Sequence, residues 1–115
     1  MASRNKDERA NVNALIKAIQ KNSPRCYVYI DRDAGSVRHT SSGFDFILAF
    51  TGAAIFCEAK QPGGKLTEWQ EFTRSYIMNA ACKYRVVRFS ESGKYFTIDE
   101  GQPLLISAAT FKDFI

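Results

Sequence analysis

Two carboxylates and an ammonium interrupt the most apolar stretch of the chain, residues 43–60. Asp45 lies near its start, and Glu58 and Lys60 lie at its end. Carboxylates that lie close together repel, and apolar surroundings raise the cost because neither charge is well solvated. A shared proton, partial neutralisation by Lys60 or a bound divalent cation would each make the pair tolerable. Two carboxylates with a backbone carbonyl and waters form the hard oxygen site that Mg²⁺ or Mn²⁺ prefers.

A hairpin is expected to bring the two carboxylates together. Two strand-like runs, 44–50 and 53–60, are separated by Thr51-Gly52, a pair typical of a two-residue turn. The register that such a turn imposes places Asp45 directly opposite Glu58 on one face, with Cβ atoms about 5 Å apart.

Lys60 is expected on the same face, because side chains alternate along a strand. Its partner across the ladder is Gly43, which is expected to leave open space beside it. An alternative is that Glu58 and Lys60 form a solvated surface pair, if this face of the sheet is exposed.

The segments before the hairpin are predicted to form a helix, a strand and a loop. Residues 3–21 carry apolar side chains at helical spacing, with Glu8 one turn before the first of them and on the same stripe. Residues 26–30 are rich in aromatic and β-branched side chains, as strands are. Residues 31–42 are polar and loop-like, with a brief edge strand expected over 36–40. The apolar stripe of the helix consists of Val12, Leu15, Ile16 and Ile19.

The segments after the hairpin are predicted to form a loop, a second helix and further strands. Residues 61–65 contain Pro and two Gly, as a loop does. Thr67 starts the helix as its N-cap, with Gln70 at the spacing of a capping box. The core face of this helix is expected to consist of Trp69, Phe72, Tyr76, Ile77 and Ala80. The remaining elements are two strands, 84–89 and 94–98, and a closing helix over 107–115.

This order of elements predicts one mixed α/β domain over residues 1–115. A helix that connects 53–60 to 84–89 implies a crossover, so those two strands should run parallel. The 45% apolar and 24% charged composition is ordinary for a soluble globular protein. A net charge of +4 is compatible with a polyanionic partner, although many domains without such a partner share it.

Three cysteines without CxxC spacing argue against a disulfide framework or a zinc site. Cys26, Cys57 and Cys82 all have apolar neighbours, so we expect reduced core cysteines in an intracellular protein. The charged N-terminus is not a signal peptide, and no apolar run has the length of a membrane span. The expected location is therefore the cytoplasm.

Four short features follow one another along the chain and form a pattern. They are Gly43-Phe44-Asp45, Glu58-Ala59-Lys60, Pro62-Gly63-Gly64-Lys65 and Thr67 followed by Gln70. The pattern resembles the VRR-NUC domain, the virus-type replication-repair nuclease of the PD-(D/E)xK superfamily. Phe44 stands where the superfamily signature has proline, a position at which this family is loose. The resemblance spans roughly residues 5–90. It implies a restriction-endonuclease-like core of helix, three-strand meander, helix and strand, with a mixed sheet and a C-terminal helix.

The resemblance also implies a Mg²⁺-dependent endodeoxyribonuclease, in which Mn²⁺ can replace Mg²⁺. Its expected substrates are branched DNA, flap DNA or four-way junctions, and its expected setting is phage or mobile-element replication and repair. Asp45, Glu58 and the backbone carbonyl of Ala59 would hold the metal, and Lys60 would orient or deprotonate the attacking water or stabilise the transition state. Two further residues are candidates for the catalytic site. Gln70 would either point its amide toward the site or serve only as a helix cap. Glu8 would either act through water or a second metal, or be an ordinary first-turn glutamate.

DNA contacts are expected from the glycine loop and from basic side chains. Because one small domain carries one active site, cutting both strands suggests a homodimer. Two alternatives stay open: a non-catalytic nucleic-acid-binding domain with the same fold, and a domain unrelated to nucleic acid. Most of the basic residues are equally compatible with ordinary surface charge. The candidate DNA-binding residues are Arg38, His39, Gly63, Gly64, Lys65 and Arg74, and a wider phosphate track would add Arg32, Lys83, Arg85 and Arg88.

Overall fold

A computed structural model describes residues 4–31 and 43–115 of the 115-residue chain, and side chains from residue 8 onward within those ranges. The edge strand expected over 36–40 lies outside the described residues. Within them, two α-helices and six strands form a mixed α/β fold. No helix in the described ranges is long and apolar enough to cross a membrane.

The first helix, α1, spans Arg4–Asn22 and buries the predicted apolar stripe. Leu15 and Ile19 are fully buried, and Val12 and Ile16 are nearly so. The helix ends where the sequence predicts, since the N–H of Ser23 donates to the carbonyl of Ile19 at 2.7 Å and Pro24 follows. α1 therefore lies on one face of the sheet through the side chains that its spacing indicates.

Six strands form one sheet in the order of the sequence. Every neighbouring pair is antiparallel except β3 and β4, which are parallel as predicted. The crossover between them contains the second helix, α2, at Glu68–Asn79. The strands are β1 (Tyr27–Ile30), β2 (Phe46–Phe50), β3 (Ala53–Lys60), β4 (Lys83–Phe89), β5 (Tyr95–Ile98) and β6 (Leu104–Leu105).

The predicted hairpin between β2 and β3 is confirmed, with Phe50 paired to Ala53 and Phe46 to Cys57. Its turn has positive φ at both central residues, 49° at Thr51 and 79° at Gly52. This is the type I′ geometry whose twist matches that of the flanking strands. The turn therefore fixes the register that extends toward Asp45 and Glu58.

The main core lies between α1, one sheet face and the C-terminal segment. The sheet contributes alternate residues, such as Ile55, Cys57 and Ala59 of β3. The intervening residues of β3, including Glu58, therefore face the opposite side. Arg85 belongs to the core side of β4, where its Nε donates to the carbonyl of Phe114 at 2.8 Å and its Nη1 lies 3.2 Å from Asp99.

The predicted C-terminal helix over 107–115 is wrong. Two short 3₁₀ segments, Ile106–Ala108 and Phe111–Phe114, stand in its place and are separated by extended backbone at Ala109 and Thr110. Thr110 caps the second segment in a capping box with Asp113. The three-residue spacing of the buried Phe111 and Phe114 suits a 3₁₀ turn, in which positions i and i+3 eclipse.

The predicted core face of α2 is also wrong in most positions. Trp69, Phe72 and Tyr76 are 45%, 56% and 70% exposed, and Ala80 is exposed as well. The one buried residue of the helix is Thr73, and Ile77 is half-buried. A similar correction applies to the cysteines, since Cys26 and Cys57 are buried thiols but Cys82 is exposed.

Candidate active site

Asp45 lies immediately before β2, between β1 and β3. Its N–H donates to the carbonyl of Cys57 at 2.8 Å, and its own carbonyl accepts from the N–H of Asp31 at 2.9 Å. Its carboxylate Oδ2 accepts from the backbone N–H of Ala59 at 2.7 Å. The ladder pairing ends at Phe46 and Cys57, so Asp45 is not a regular cross-strand partner of Glu58. Its side chain instead reaches along β3 to the backbone just beyond Glu58.

Glu58 and Asp45 nevertheless contact each other, because their carboxyl groups share a hydrogen bond. The side chain of Glu58 is only 5% exposed, and Lys60 Nζ lies 3.9 Å from its Oε2. The two carboxyls and the ammonium are thus brought together at the carboxyl end of β3. A solvated surface pair of Glu58 and Lys60, the alternative considered above, does not fit this burial.

Burial shifts the protonation of both carboxyl groups. It raises the pKa of Glu58 to about 9, with a further contribution from the charge of Asp45, while Lys60 acts in the opposite direction. Burial also raises the pKa of Asp45, and the Ala59 hydrogen bond and Lys60 offset part of that effect. Without a cation, Glu58 therefore holds a proton at neutral pH and donates it in the shared hydrogen bond to Asp45.

Gly43 does not leave open space beside Lys60, contrary to the expectation from its ladder position. The residue is buried with φ at +87°, and a Cβ there would overlap the side chain of Thr73 in α2. The carbonyl of Gly43 accepts a 2.6 Å hydrogen bond from the hydroxyl of Tyr84. Gly43 is therefore the point at which α2 and β4 hold the segment that leads into Asp45.

Asp31 and Tyr84 belong to the site although the sequence motif did not single them out. The charge of Asp31 contributes to the raised pKa of Asp45. Burial raises the pKa of Tyr84 above its usual value, with further contributions from Glu58 and Asp45. Asp31 had a signal in the sequence, since it is a carboxylate directly after a strand, whereas nothing marked Tyr84 apart from its place at the start of β4.

The loop after Lys60 forms a tight turn. The N–H of Gly64 donates to the carbonyl of Gln61 at 3.0 Å, with Pro62 and a positive φ of 78° at Gly63 as in a type II turn. Arg88 holds the loop from β4, because its Nη1 donates to the carbonyls of Gln61 and Gly64 at 3.1 and 2.6 Å. Arg88 thus has a structural role rather than an open place in a phosphate track.

The two further catalytic candidates, Glu8 and Gln70, have different places in the structure. Glu8 is half-buried, and its charge contributes to the raised pKa of Glu58, so α1 brings it near the site. The side-chain Oε1 of Gln70 accepts from the N–H of Thr67 at 2.8 Å, which completes the predicted capping box. The structure thus shows the capping role of Gln70.

The candidate DNA-binding residues within the described ranges differ in exposure and in their contacts. Gly63 and Lys65 are exposed, and Gly64 packs close to the stem of Lys60. Arg74 lies 3.8 Å from Glu71 of its own helix. Arg32, Arg38 and His39 lie outside the described residues.

The carboxyl pair fits a hard divalent cation. The oxygens of Glu58 are buried and those of Asp45 are half-buried beside them, and carboxylate oxygens are the type that Mg²⁺ prefers. The N–H and C=O of one strand residue point to the same side, so the carbonyl of Ala59 also points toward the side of Asp45. Within the described ranges, this site included, no group of three or more His, Cys, Asp or Glu side chains has the arrangement of a metal site.

Comparison of the chain with family models, with curated proteins and with solved structures finds no match.

Proposed function

We propose that this chain is a metal-dependent endodeoxyribonuclease of the VRR-NUC type within the PD-(D/E)xK superfamily. One observation carries the proposal: the carboxyl groups of buried Glu58 and half-buried Asp45 share a hydrogen bond while Lys60 Nζ stands 3.9 Å from Glu58. A domain that only binds nucleic acid has no need for two acidic side chains packed against each other. The element order from α1 to β4 supports the proposal, because it is the order that such a nuclease core requires.

Asp45, Glu58 and the carbonyl of Ala59 would hold Mg²⁺, or Mn²⁺ in its place. When bound, the cation would supply charge neutralisation at the phosphate and a water of lowered pKa. Glu58 would give up its proton to become a ligand. The Ala59 N–H would keep Oδ2 of Asp45 oriented, so that the position of this carboxylate does not depend on the cation. Lys60 would orient the attacking water or stabilise the charge that develops on the phosphate.

DNA is the proposed substrate, with branched, flap or four-way junction structures as the preferred class. The glycine turn at 61–64 follows Lys60 directly, and the exposed Lys65 comes next, so a backbone phosphate could be bound beside the reacting one. The net charge of +4 supports a polyanionic partner. Cutting both strands of such a substrate requires two sites, which a homodimer would provide. The proposed setting is replication or repair of phage or mobile-element DNA inside the cell.

The experiment is cleavage of a panel of end-labelled DNAs in Mg²⁺, Mn²⁺ or EDTA. The panel contains duplex, single-stranded, flap and four-way junction molecules, with a matched RNA. We expect cleavage with either cation and none in EDTA, while binding survives in EDTA. Glu58→Gln should lower the cleavage rate by about 10²-fold or more, because a metal ligand is lost.

Glu100→Gln is the matched control, since Glu100 is an exposed glutamate in the turn after β5. It should cleave as the unmodified chain does. Binding without cleavage under every condition would favour the non-catalytic alternative. Full activity in Glu58→Gln would exclude this site assignment.

A further inference from the structure

A cavity of about 550 Å³ lies between α1 and the carboxyl ends of the parallel strands β3 and β4. Its walls are the two turns that follow those strands, at 61–62 and 90–93, and residues 10–11 of α1. In open α/β sheets, ligands bind at the carboxyl ends of the strands, and volumes of about 300–1,000 Å³ are usual for ligand sites. This strand-end cavity therefore has the place and the size of a small-ligand site.

The strand-end cavity adjoins the candidate active site. Gln61, in one wall, directly follows Lys60 in the chain. Asn11, in another wall, lies one helical turn after Glu8, and residues three apart are neighbours on a helix surface. Glu8 in turn lies near Glu58, since its charge contributes to the raised pKa of that residue. A DNA strand with one phosphate at the carboxyl pair therefore has a neighbouring nucleotide within reach of the cavity.

The wall at 90–93 is fixed by hydrogen bonds within its own turn. The hydroxyl of Ser90 lies 3.0 Å from that of Ser92 and accepts from the N–H of Tyr95 at 3.2 Å. Gly93 has a φ of +73°, and a Cβ at this position would lie 3.2 Å from Oδ1 of Asn11. α1 and the turn thus approach each other closely at one end of the cavity. The cavity is therefore pre-formed, as ligand sites usually are.

The lining fits a neutral polar group rather than a phosphate. Among the described residues that line the cavity, Glu91 carries the only charge, and a carboxylate repels a phosphate. The side-chain amide of Asn11 is half-buried and makes no hydrogen bond to any residue that the structure describes. That amide offers both a donor and an acceptor. Ala10 and Pro62 add apolar surface beside it.

We propose that the strand-end cavity holds one unpaired nucleobase of the DNA substrate, turned out of its stack beside the phosphate that is cut. This inference rests on the proposed nuclease function. Asn11 would bind the Watson–Crick edge of the base, which carries a donor and an acceptor in every base, and Ala10 and Pro62 would contact its faces. A base that is already unpaired enters such a pocket at least cost, so the nucleotide beside the cut should lie outside the duplex.

Fluorescence of 2-aminopurine tests the proposal without cleavage, because this base analogue brightens when it leaves the stack. The analogue replaces successive bases across the unpaired segment and the adjoining duplex of a flap DNA, and protein is added in EDTA. We expect a severalfold rise at one position, and loss of that rise in Asn11→Leu. Asn13→Leu is the matched control, since Asn13 is an exposed asparagine of α1 outside the cavity lining and should keep the rise.

Cleavage in Mg²⁺ of the same DNA with one abasic residue at each position gives a second readout. Loss of the base that the cavity holds should slow cleavage about tenfold. Asn11→Leu should slow cleavage of the intact DNA but not of this abasic DNA, because the contact is already absent there.

Circular dichroism checks that each variant is folded, and Ala10→Leu, which narrows the cavity from an exposed position, replaces Asn11→Leu if that variant fails to fold. Cleavage at equal rates for every abasic DNA, with no rise in fluorescence at any position, would overturn this inference and leave the nuclease proposal standing. A rise that is lost in Asn11→Leu, without cleavage in any cation, would support the base-binding cavity and overturn the nuclease. Failure to bind DNA at all would overturn both.

Discussion

The carboxylate of Asp45 accepts a hydrogen bond from the backbone N–H of Ala59, at 2.7 Å between Oδ2 and N. Ala59 lies between Glu58 and Lys60, so one contact fixes the first carboxylate against the strand that carries the other two site residues. The structural role and the proposed chemical role of Asp45 are therefore separable by substitution.

Asp45→Asn and Asp45→Ala should divide those two roles. Asparagine keeps an oxygen for the Ala59 N–H, so the free energy of unfolding should change by less than about 1 kcal/mol. Alanine leaves that partly buried N–H without an acceptor and should cost about 1–3 kcal/mol. Urea unfolding measures the difference, and both variants should lose cleavage. An alanine variant as stable as the asparagine variant would show that the hydrogen bond does not hold the site.

The metal-free protein should lose stability as the pH rises. The pKa of Glu58 is about 9 in the folded state and near the ordinary 4.5 when unfolded, so the folded state binds the extra proton between those values. The contribution of Glu58 to the free energy of unfolding is complete below pH 4.5 and is lost as the pH rises toward 9. Between these values the free energy of unfolding falls by at most about 1.4 kcal/mol per pH unit. The raised pKa of Asp45 acts in the same direction.

Urea unfolding in EDTA at several pH values from 5 to 9 tests this dependence. Glu58→Gln should flatten it, because an amide does not titrate. The amide can also donate the hydrogen bond to Asp45, so this variant should be at least as stable as the unmodified protein at pH 8. Identical slopes in the two proteins would contradict the assignment of the proton to Glu58.

Cation binding should release a proton. A ligand carboxylate must be ionised, and Glu58 is protonated at neutral pH without a cation, so binding of Mg²⁺ displaces about one proton per site. Calorimetric titrations in two buffers of different ionisation enthalpy measure that number. Affinity should rise by up to about tenfold per pH unit below pH 9. Glu58→Gln should bind Mg²⁺ weakly and release no proton. Release of an equal number of protons by this variant would assign the proton to another group.

The parts of the fold that depend on neighbouring residues could be predicted from the sequence. Thr51-Gly52 sets a turn of known twist, so the register of β2 and β3 followed from counting along the chain. Thr67 and Gln70 form their capping box within a single helical turn for the same reason. That register brings Asp45 near Glu58, but the predicted direct pairing is wrong, because the ladder ends at Phe46 and Cys57 and the Ala59 N–H positions the Asp45 side chain.

The environment of α2 could not be predicted in this way. An apolar stripe indicates which face of a helix avoids water but does not say whether its partner is the same chain or another molecule. The buried residue is Thr73, a polar side chain that helical periodicity does not mark as core. Its contact with Gly43 joins residues far apart in the chain, so only the tertiary structure shows why Gly43 lacks a side chain.

Substitution of Gly43 should test that long-range contact. Gly43→Ala should lower the free energy of unfolding for two reasons. The backbone φ at this position is +87°, and the new Cβ would overlap the Thr73 side chain. Gly52→Ala is the matched control, since φ is similar at +79° but its Cβ would meet nothing within 4 Å. The control should cost about 1 kcal/mol from backbone strain alone, and Gly43→Ala about 2–4 kcal/mol because overlap is added.

Truncation of the opposing side chain separates the two contributions at Gly43. Gly43→Ala combined with Thr73→Ala should be less destabilised than the two single effects added together, because part of the overlap disappears. Gly43→Ala should also slow cleavage, since the residue lies two positions before Asp45 and its carbonyl is fixed by Tyr84. Urea unfolding and the cleavage assay measure the two effects. Equal destabilisation at positions 43 and 52, with strict additivity in the double variant, would show that Thr73 does not constrain the segment leading to Asp45.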